Sequence, residues 1–154
     1  MKLQIVCAGK IKEKWLNDGI AEYTKRLSRY TSVEFIEVAD APDSIPVKQA
    51  LEQEGERMLQ RIRPGAYVIV MDLHGKELDS ETWSQHVIDG YEKGGSELVI
   101  LIGGSNGLSP EVVARANERV CLSPMTFTHQ MTRLIVLEQV YRGFKIHYGE
   151  KYHK

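Results

Sequence analysis

The stretch from Glu97 to Pro110, E-L-V-I-L-I-G-G-S-N-G-L-S-P, limits what this chain can fold into more than any other. Leu98 to Ile102 is an unbroken apolar run of strand length, rich in branched side chains, as expected of a strand covered on both faces. It stops at Gly103-Gly104-Ser105-Asn106-Gly107. Ser109 then has the character of an N-cap, and Pro110 suits the first position of a helix. An open α/β sheet puts its ligand at such a junction, outside the carboxyl end of a central strand. Gly103 and Gly104 are therefore candidate contacts, and a side chain at Gly103 is expected to project into space that a ligand needs. The competing reading is a plain tight turn between strand and helix.

The rest of the chain alternates in the same way. Strands are expected at Lys2 to Ala8, with Leu3, Ile5 and Cys7 on one face, and at Val33 to Val38, Tyr67 to Met71 and Arg119 to Leu122. Helices are expected over Glu13 to Tyr30, with an apolar stripe of Trp15, Ile20, Tyr23 and Leu27, and from Ser44 and Pro46 to about Ile62. Asp72 to Asp79 reads as a loop closed by Ser80, which is expected to cap a helix carrying Trp83, Val87, Ile88 and Tyr91 and ending at Gly94-Gly95. A helix from Pro110 to about Asn117 and a long one from about Thr128 through Arg142 complete the pattern. Strand-helix alternation argues for a parallel α/β sheet with helices on both faces, in one domain spanning residues 1–154. The order of the strands is not encoded in this pattern.

Composition excludes several classes. The net charge is −1, so no global basic field advertises nucleic acid. The C-terminal third is nevertheless basic, with Arg115, Arg119, Arg133, Arg142, Lys145, Lys151 and Lys154 against Glu118, Glu138 and Glu150. Such a bias suits phosphate contacts or a solvated helix face. Cys7 and Cys121 lie in apolar runs and read as buried free thiols of a reducing compartment, so a cytoplasmic location is expected. The N-terminus lacks the pattern of a signal peptide, and no run approaches membrane-spanning length.

Gly103 to Gly107 literally fits G-x-S-x-G, the nucleophile elbow of serine hydrolases. An elbow needs its helix directly behind the serine, but Leu108, Ser109 and Pro110 postpone it, and no aspartate follows Ser105, although Glu138 does precede His147 and His153 as a triad would require. Histidines and cysteines show no metal-ligand spacing, and no phosphate-loop or dinucleotide fingerprint is present, so no metal site is expected. Leu122 to Phe127, L-S-P-M-T-F, sets apolar side chains among free backbone polar groups just past a strand end. A flat heterocycle would fit there, as would an ordinary loop tucked onto the core. On the last helix, Leu134, Leu137 and Tyr141 with Ile135 and Val136 form an apolar face, and Glu138 and Arg142 stand at salt-bridge spacing. The segment Tyr148 to Lys154 is too polar for a core, so it either frays or docks on something.

Three blocks taken together resemble one family: I-G-G-S-N-G-L at Ile102 to Leu108, L-S-P-M-T-F-T-H-Q-M at Leu122 to Met131, and E-Q-V-Y-R-G-F-K-I from Glu138 followed by a terminal Y-H-K. It is the small SPOUT-superfamily methyltransferases that modify a pseudouridine of large-subunit ribosomal RNA at ring N3. The likeness covers the whole chain, including M-K-L-Q-I-V at the start and E-K-W-L-N-D-G-I-A-E-Y-T-K-R-L. It implies an α/β fold with a C-terminal trefoil knot, a homodimer, S-adenosylmethionine bound in the knot, no metal, and the assembled ribosome as target. Carried over by position, it implies a cofactor pocket at Met71 and Leu73, at Gly103 and Gly104, and along Leu122, Ser123, Pro124, Met125, Thr126 and Phe127. It also implies an RNA-facing and catalytic surface at His129, Arg133, Glu138, Arg142, Tyr152 and His153. Thr128 departs from relatives that carry proline before the histidine. A non-catalytic ribosome-binding or nucleotide-sensing module on the same fold is the alternative.

That chemistry suits the inventory. Methyl transfer to an imide nitrogen needs donor and acceptor held in line with water excluded. Cations such as Arg142 or His153 would stabilise the ring once it has lost its proton. Glu138 would orient those cations, and the base itself is left unassigned.

Overall fold

The computed structural model describes residues 1–154. Five strands form one sheet: β1 (Lys2–Ala8), β2 (Ser32–Val38), β3 (Val68–Glu77), β4 (Glu97–Ile102) and β5 (Glu118–Cys121). Their order is β2-β1-β4-β3-β5, and every neighbouring pair is parallel. Five helices connect and cover them: α1 (Lys14–Leu27), α2 (Val47–Leu59), α3 (Ser80–Lys93), α4 (Pro110–Arg115) and α5 (His129–His147). Parallel strands need crossovers, and these place helices on both faces. Leu3, Ile5, Cys7, Leu98, Ile100 and Ile102 face α1, α3 and α5. Val6, Ala8, Val68, Val70, Val99 and Leu101 pack toward α2 and α4. No helix is long and apolar enough to cross a membrane.

Both cysteines are free and buried, as their apolar settings imply. Burial pushes the Cys7 thiol up to about 11, against the pull of nearby Arg133, so it stays protonated and inert.

Three expectations need correction. Trp15 is 59% exposed, and the apolar stripe of α1 starts one residue later, running Leu16, Ile20, Tyr23, Leu27 at spacings that keep one face. Asp72 to Asp79 is not wholly a loop. The chain leaves the sheet after Met71, which pairs with Val120, and returns at Lys76 and Glu77, which pair with Val120 and Cys121. Gly75 permits the return, because a Cβ there would stand 2.6 Å from the Arg119 backbone. Finally, α5 continues past Arg142 to His147. Phe144 is wholly buried and stacks on Tyr30 with ring centroids 5.0 Å apart. Lys145 is also nearly buried, its ammonium paired with Glu150 at 2.9 Å.

Phe144→Ala should therefore cost about 3–5 kcal/mol of stability, as truncating a fully buried aromatic does. Urea unfolding reads it directly, and a loss below about 1 kcal/mol would place residues 143–147 outside the core.

Candidate active site

β4, β3 and β5 are neighbours and parallel, so their carboxyl ends open on the same edge of the sheet. Three segments leave from there: the excursion Asp72 to Gly75 within β3, the glycine turn after β4, and the loop between β5 and α5. Together they enclose a cavity of about 660 Å³. Met71, Leu73, Gly103, Gly104, Leu122, Ser123, Met125, Thr126 and Phe127 all line it, whereas Pro124 belongs to the same loop without lining the cavity.

The glycine turn is tight. Gly107 N–H donates to Gly104 C=O at 3.0 Å, and Gly107 has φ +95°, a conformation glycine adopts readily. A Cβ on Gly103 would lie 2.4 Å from Gly107 O and 2.9 Å from Leu108 Cδ2. Gly103 is thus required by the turn's own packing; a side chain there would strike the turn rather than simply fill ligand space. Ser109 caps α4 by accepting Val112 N–H at 3.3 Å, with Pro110 in the first turn. The postponed helix start is real, and no nucleophile elbow forms at Ser105.

Thr128 caps α5 in the same fashion, accepting Met131 N–H at 3.1 Å. This sets His129 as the first residue of the helix, with its imidazole on the cavity wall. Burial, and then the Arg133 cation, hold the imidazole below its ordinary pKa, so His129 is neutral at pH 7.

Sequence reasoning missed Asp72 and Arg119, which both line the cavity. The Arg119 guanidinium donates to Asp72 at 2.6 and 2.8 Å. Burial acts to raise the Asp72 pKa, but the His74 N–H and Arg119 outweigh it and the net direction is downward. An ionised carboxylate on the cavity wall had no signal beyond its place just after an apolar strand.

The residues expected on the catalytic surface divide three ways. His129 stands at the cavity. Arg133 does not reach any surface: it is wholly buried, paired with Glu37 at 2.9 Å and donating to Ala8 C=O at 2.8 Å. Glu138, Arg142, Tyr152 and His153 form one network. Glu138 Oε1 accepts Arg142 Nη2 at 2.6 Å and the Tyr152 hydroxyl at 3.0 Å. Arg142 Nη1 lies 3.1 Å from His153 Nδ1, and its guanidinium carbon 4.9 Å from the Tyr152 ring centre. His153 Nε2 reaches Glu81 at 3.1 Å. The tail is therefore docked against α1, α3 and α5 rather than frayed. His153 lines a second cavity of about 480 Å³, which shares the Met71, Leu122, Ser123 and Phe127 wall with the first.

No cluster of histidine, cysteine and carboxylate groups is arranged to hold a metal ion. The first cavity does fit a nucleoside-type ligand. It combines an apolar wall, a backbone turn without side chains at Gly103 and Gly104, and polar groups at its edge.

Known proteins resemble the chain over its full length. It is 45% identical, over 159 aligned residues and 100% of both chains, to the ribosomal RNA large subunit methyltransferase H of Ruminiclostridium cellulolyticum. Among solved structures it is similar to TrmJ from Z. mobilis (TM-score 0.50, 18% identity, 93% of this chain and 70% of that one). It is also similar to a probable methylase family protein from Haemophilus influenzae (TM-score 0.51, 14% identity, 96% and 66%). At such identities these two likenesses speak to fold alone. Residues 1–153 match the family described as "Predicted SPOUT methyltransferase", and with the full-length relative this shows that the chain belongs to the SPOUT methyltransferase family.

Proposed function

We propose that this chain is an S-adenosylmethionine-dependent methyltransferase acting on large-subunit ribosomal RNA, at N3 of a pseudouridine. The observation that carries the reading is the cavity at the carboxyl ends of β3, β4 and β5, in a chain 45% identical throughout to a ribosomal RNA methyltransferase. When bound, the cofactor supplies a methyl group already activated on a sulfonium. Met71, Leu73, Leu122, Met125 and Phe127 would hold its apolar parts. The backbone of Gly103, Gly104 and the Ser123 to Thr126 loop would meet its polar edge.

The protein's own residues then have three tasks. Phe127 and Leu73, 45% and 57% exposed on the cavity rim, would exclude water once covered. Arg142, held by Glu138, and His153 would stabilise the negative charge of the deprotonated ring. Tyr152 offers an aromatic face to a base. Arg133 acts at a distance, by fixing α5 from which His129, Glu138 and Arg142 project.

We further propose a homodimer and a trefoil threading of the C-terminal part. Support for the dimer is the exposed apolar rim, to which Met125 at 75% exposure belongs. Support for the knot is the strand order, in which the chain leaves β4, passes β3 and forms β5 on its far side. The tail would exchange its present contacts for the partner's site when the target nucleotide is bound. The target is the assembled ribosome, on which a slightly acidic enzyme with a basic C-terminal third gains shape contacts that naked RNA lacks.

Calorimetry with S-adenosylmethionine, followed by methyl transfer to ribosomes from cells lacking the enzyme, tests the whole. Binding without transfer would favour a non-catalytic module. Gly103→Ala should distort the turn and weaken cofactor binding at least about tenfold, the equivalent of roughly 1.4 kcal/mol. Unchanged affinity would remove the turn from the cofactor site. Deleting residues 152–154 should leave cofactor affinity within about twofold while methyl transfer falls on the order of a hundredfold or more, as when a charge-stabilising group is lost. A truncated protein with normal turnover would make the docked tail merely structural.

A further inference from the structure

Buried polar atoms without a partner are few in folded proteins, and each calls for a reason. Here they are Glu54 Oε1, Trp83 Nε1, His129 Nδ1 and Arg133 Nε. Three of the four belong to one locality behind the glycine turn. Glu54, on α2, is only 4% exposed. Its Oε2 accepts the Ala41 N–H at 2.9 Å, which anchors the carboxylate. Its Oε1 lies against Gly104, 3.1 Å from where a Cβ on that glycine would stand, and the Ala8 Cβ is 3.5 Å from the same point. Ala8 C=O in turn accepts from Arg133. One turn before Arg133 on α5 is His129, which shares the first cavity with Gly104.

The two orphaned donors at this spot are not equivalent. Arg133 is clamped through Nη1 to Glu37 and through Nη2 to Ala8, so its planar group cannot swing Nε toward a new acceptor without losing both. The His129 ring has no such ties and can turn. An ionised carboxylate oxygen only accepts, whereas an imidazole nitrogen donates in the right tautomer. The charged groups that act on the ring are Arg133 on its own helix, Glu54 on α2 and Asp40 just past β2. Of these, Arg133 pushes the imidazole toward neutrality, and the two carboxylates oppose it.

We propose that Glu54 is a positioning residue: its Oε1 takes the Nδ1–H of His129, directly or through one water, and so fixes the tautomer whose Nε2 lone pair opens to the cavity. The partner of a ring nitrogen sets which nitrogen carries the proton. The consequence rests on the methyltransferase reading: Nε2 becomes an acceptor for a hydroxyl or ammonium donor of the bound cofactor. A neutral ring also keeps a second positive charge away from a sulfonium. The same contact ties α2 to the start of α5 across the back of the Gly103-Gly104 turn.

Nitrogen-15 NMR of the histidine-labelled full chain reads the His129 tautomer and titration without any need for turnover. The wild type should show the Nδ1–H form. In Glu54→Gln the loss of the carboxylate should lower the His129 pKa further and shift population toward the Nε2–H form. Cofactor affinity measured by calorimetry should fall about tenfold, the scale of one hydrogen bond made or lost. A wild-type His129 already in the Nε2–H form overturns the proposal, and so does an unchanged His129 titration in the folded variant. Should the variant not fold, the wild-type spectrum alone decides. Should the wild type show the expected tautomer but methylate no ribosomes, the positioning stands and the methyltransferase reading falls.

Discussion

Burial of β4 on every side is the constraint on which the rest depends. Its residues Leu98 to Ile102 are at most 3% exposed, covered by helices on both faces and bonded to β1 and β3 along both edges. A strand so enclosed leaves no polar atom for chemistry along its length, since each N–H and C=O is taken by a ladder. Polar contact becomes possible only where the ladder ends, past Ile102. Because β3 and β5 run parallel to β4, their ends fall at the same edge, and three loops remote in sequence meet there. The cavity is a consequence of parallelism rather than of any one motif.

The position of α5 follows from a different interaction. Arg133 is a cation with no exposed surface, and a buried charge is tolerated only when paired and hydrogen-bonded. Glu37 from β2 and Ala8 C=O from β1 provide both, so α5 is tied to the two strands most distant from β5. From that fixed axis Glu138 and Arg142 project one turn apart toward the tail. Glu138 Oε1 receives Arg142 and the Tyr152 hydroxyl together, and its Oε2 receives Gln139 at 2.8 Å. A carboxylate with this many donors is committed to orienting them. Its value lies in the placement of Arg142 and Tyr152, since a partly exposed i,i+4 pair adds only modest stability.

Much of this was legible in the sequence, for identifiable reasons. Continuous apolar runs announced β3 and β4, alternation announced β1, and N-cap chemistry announced Ser109. These are local signals, in which a residue's type determines its neighbour's conformation. What escaped was non-local. The Trp15 error touched only the first member of the stripe, where Trp15 and Leu16 both fit the spacing and packing buries Leu16. Turn-forming Asp72 and Gly75 concealed the return of β3 to the ladder, which depends on Arg119 and Val120 lying beside Gly75. The resemblance alone places Arg133 on the RNA-facing surface, and its burial could not be read locally because its partners Glu37 and Ala8 lie some hundred residues earlier. The composition of the cavity loops was readable, but the fact that they meet, and that Asp72 and Arg119 meet with them, follows from strand order.

The basic C-terminal third carries the same lesson for electrostatics. Arg115 spends its guanidinium on the carbonyls of Arg63, Pro64 and Ala66. Arg119, Arg133, Arg142 and Lys145 are paired with Asp72, Glu37, Glu138 and Glu150. Lys151 and Lys154 alone among these cations have neither an ion-pair partner nor a side-chain hydrogen bond, and both are exposed on the tail. The sequence bias therefore does not become a positive field; folding consumes most of it in holding loops and helices in place. Each phosphate neutralised contributes a slope of about −0.7 to −0.9 in log affinity against log salt. Two free cations per chain in this region supply little of that non-specific pull. Binding of ribosomal RNA by such a surface therefore cannot rest on non-specific charge attraction alone. Arg142 follows the same economy: its guanidinium is held by Glu138 at 2.6 Å and stays partly exposed rather than joining a free basic patch.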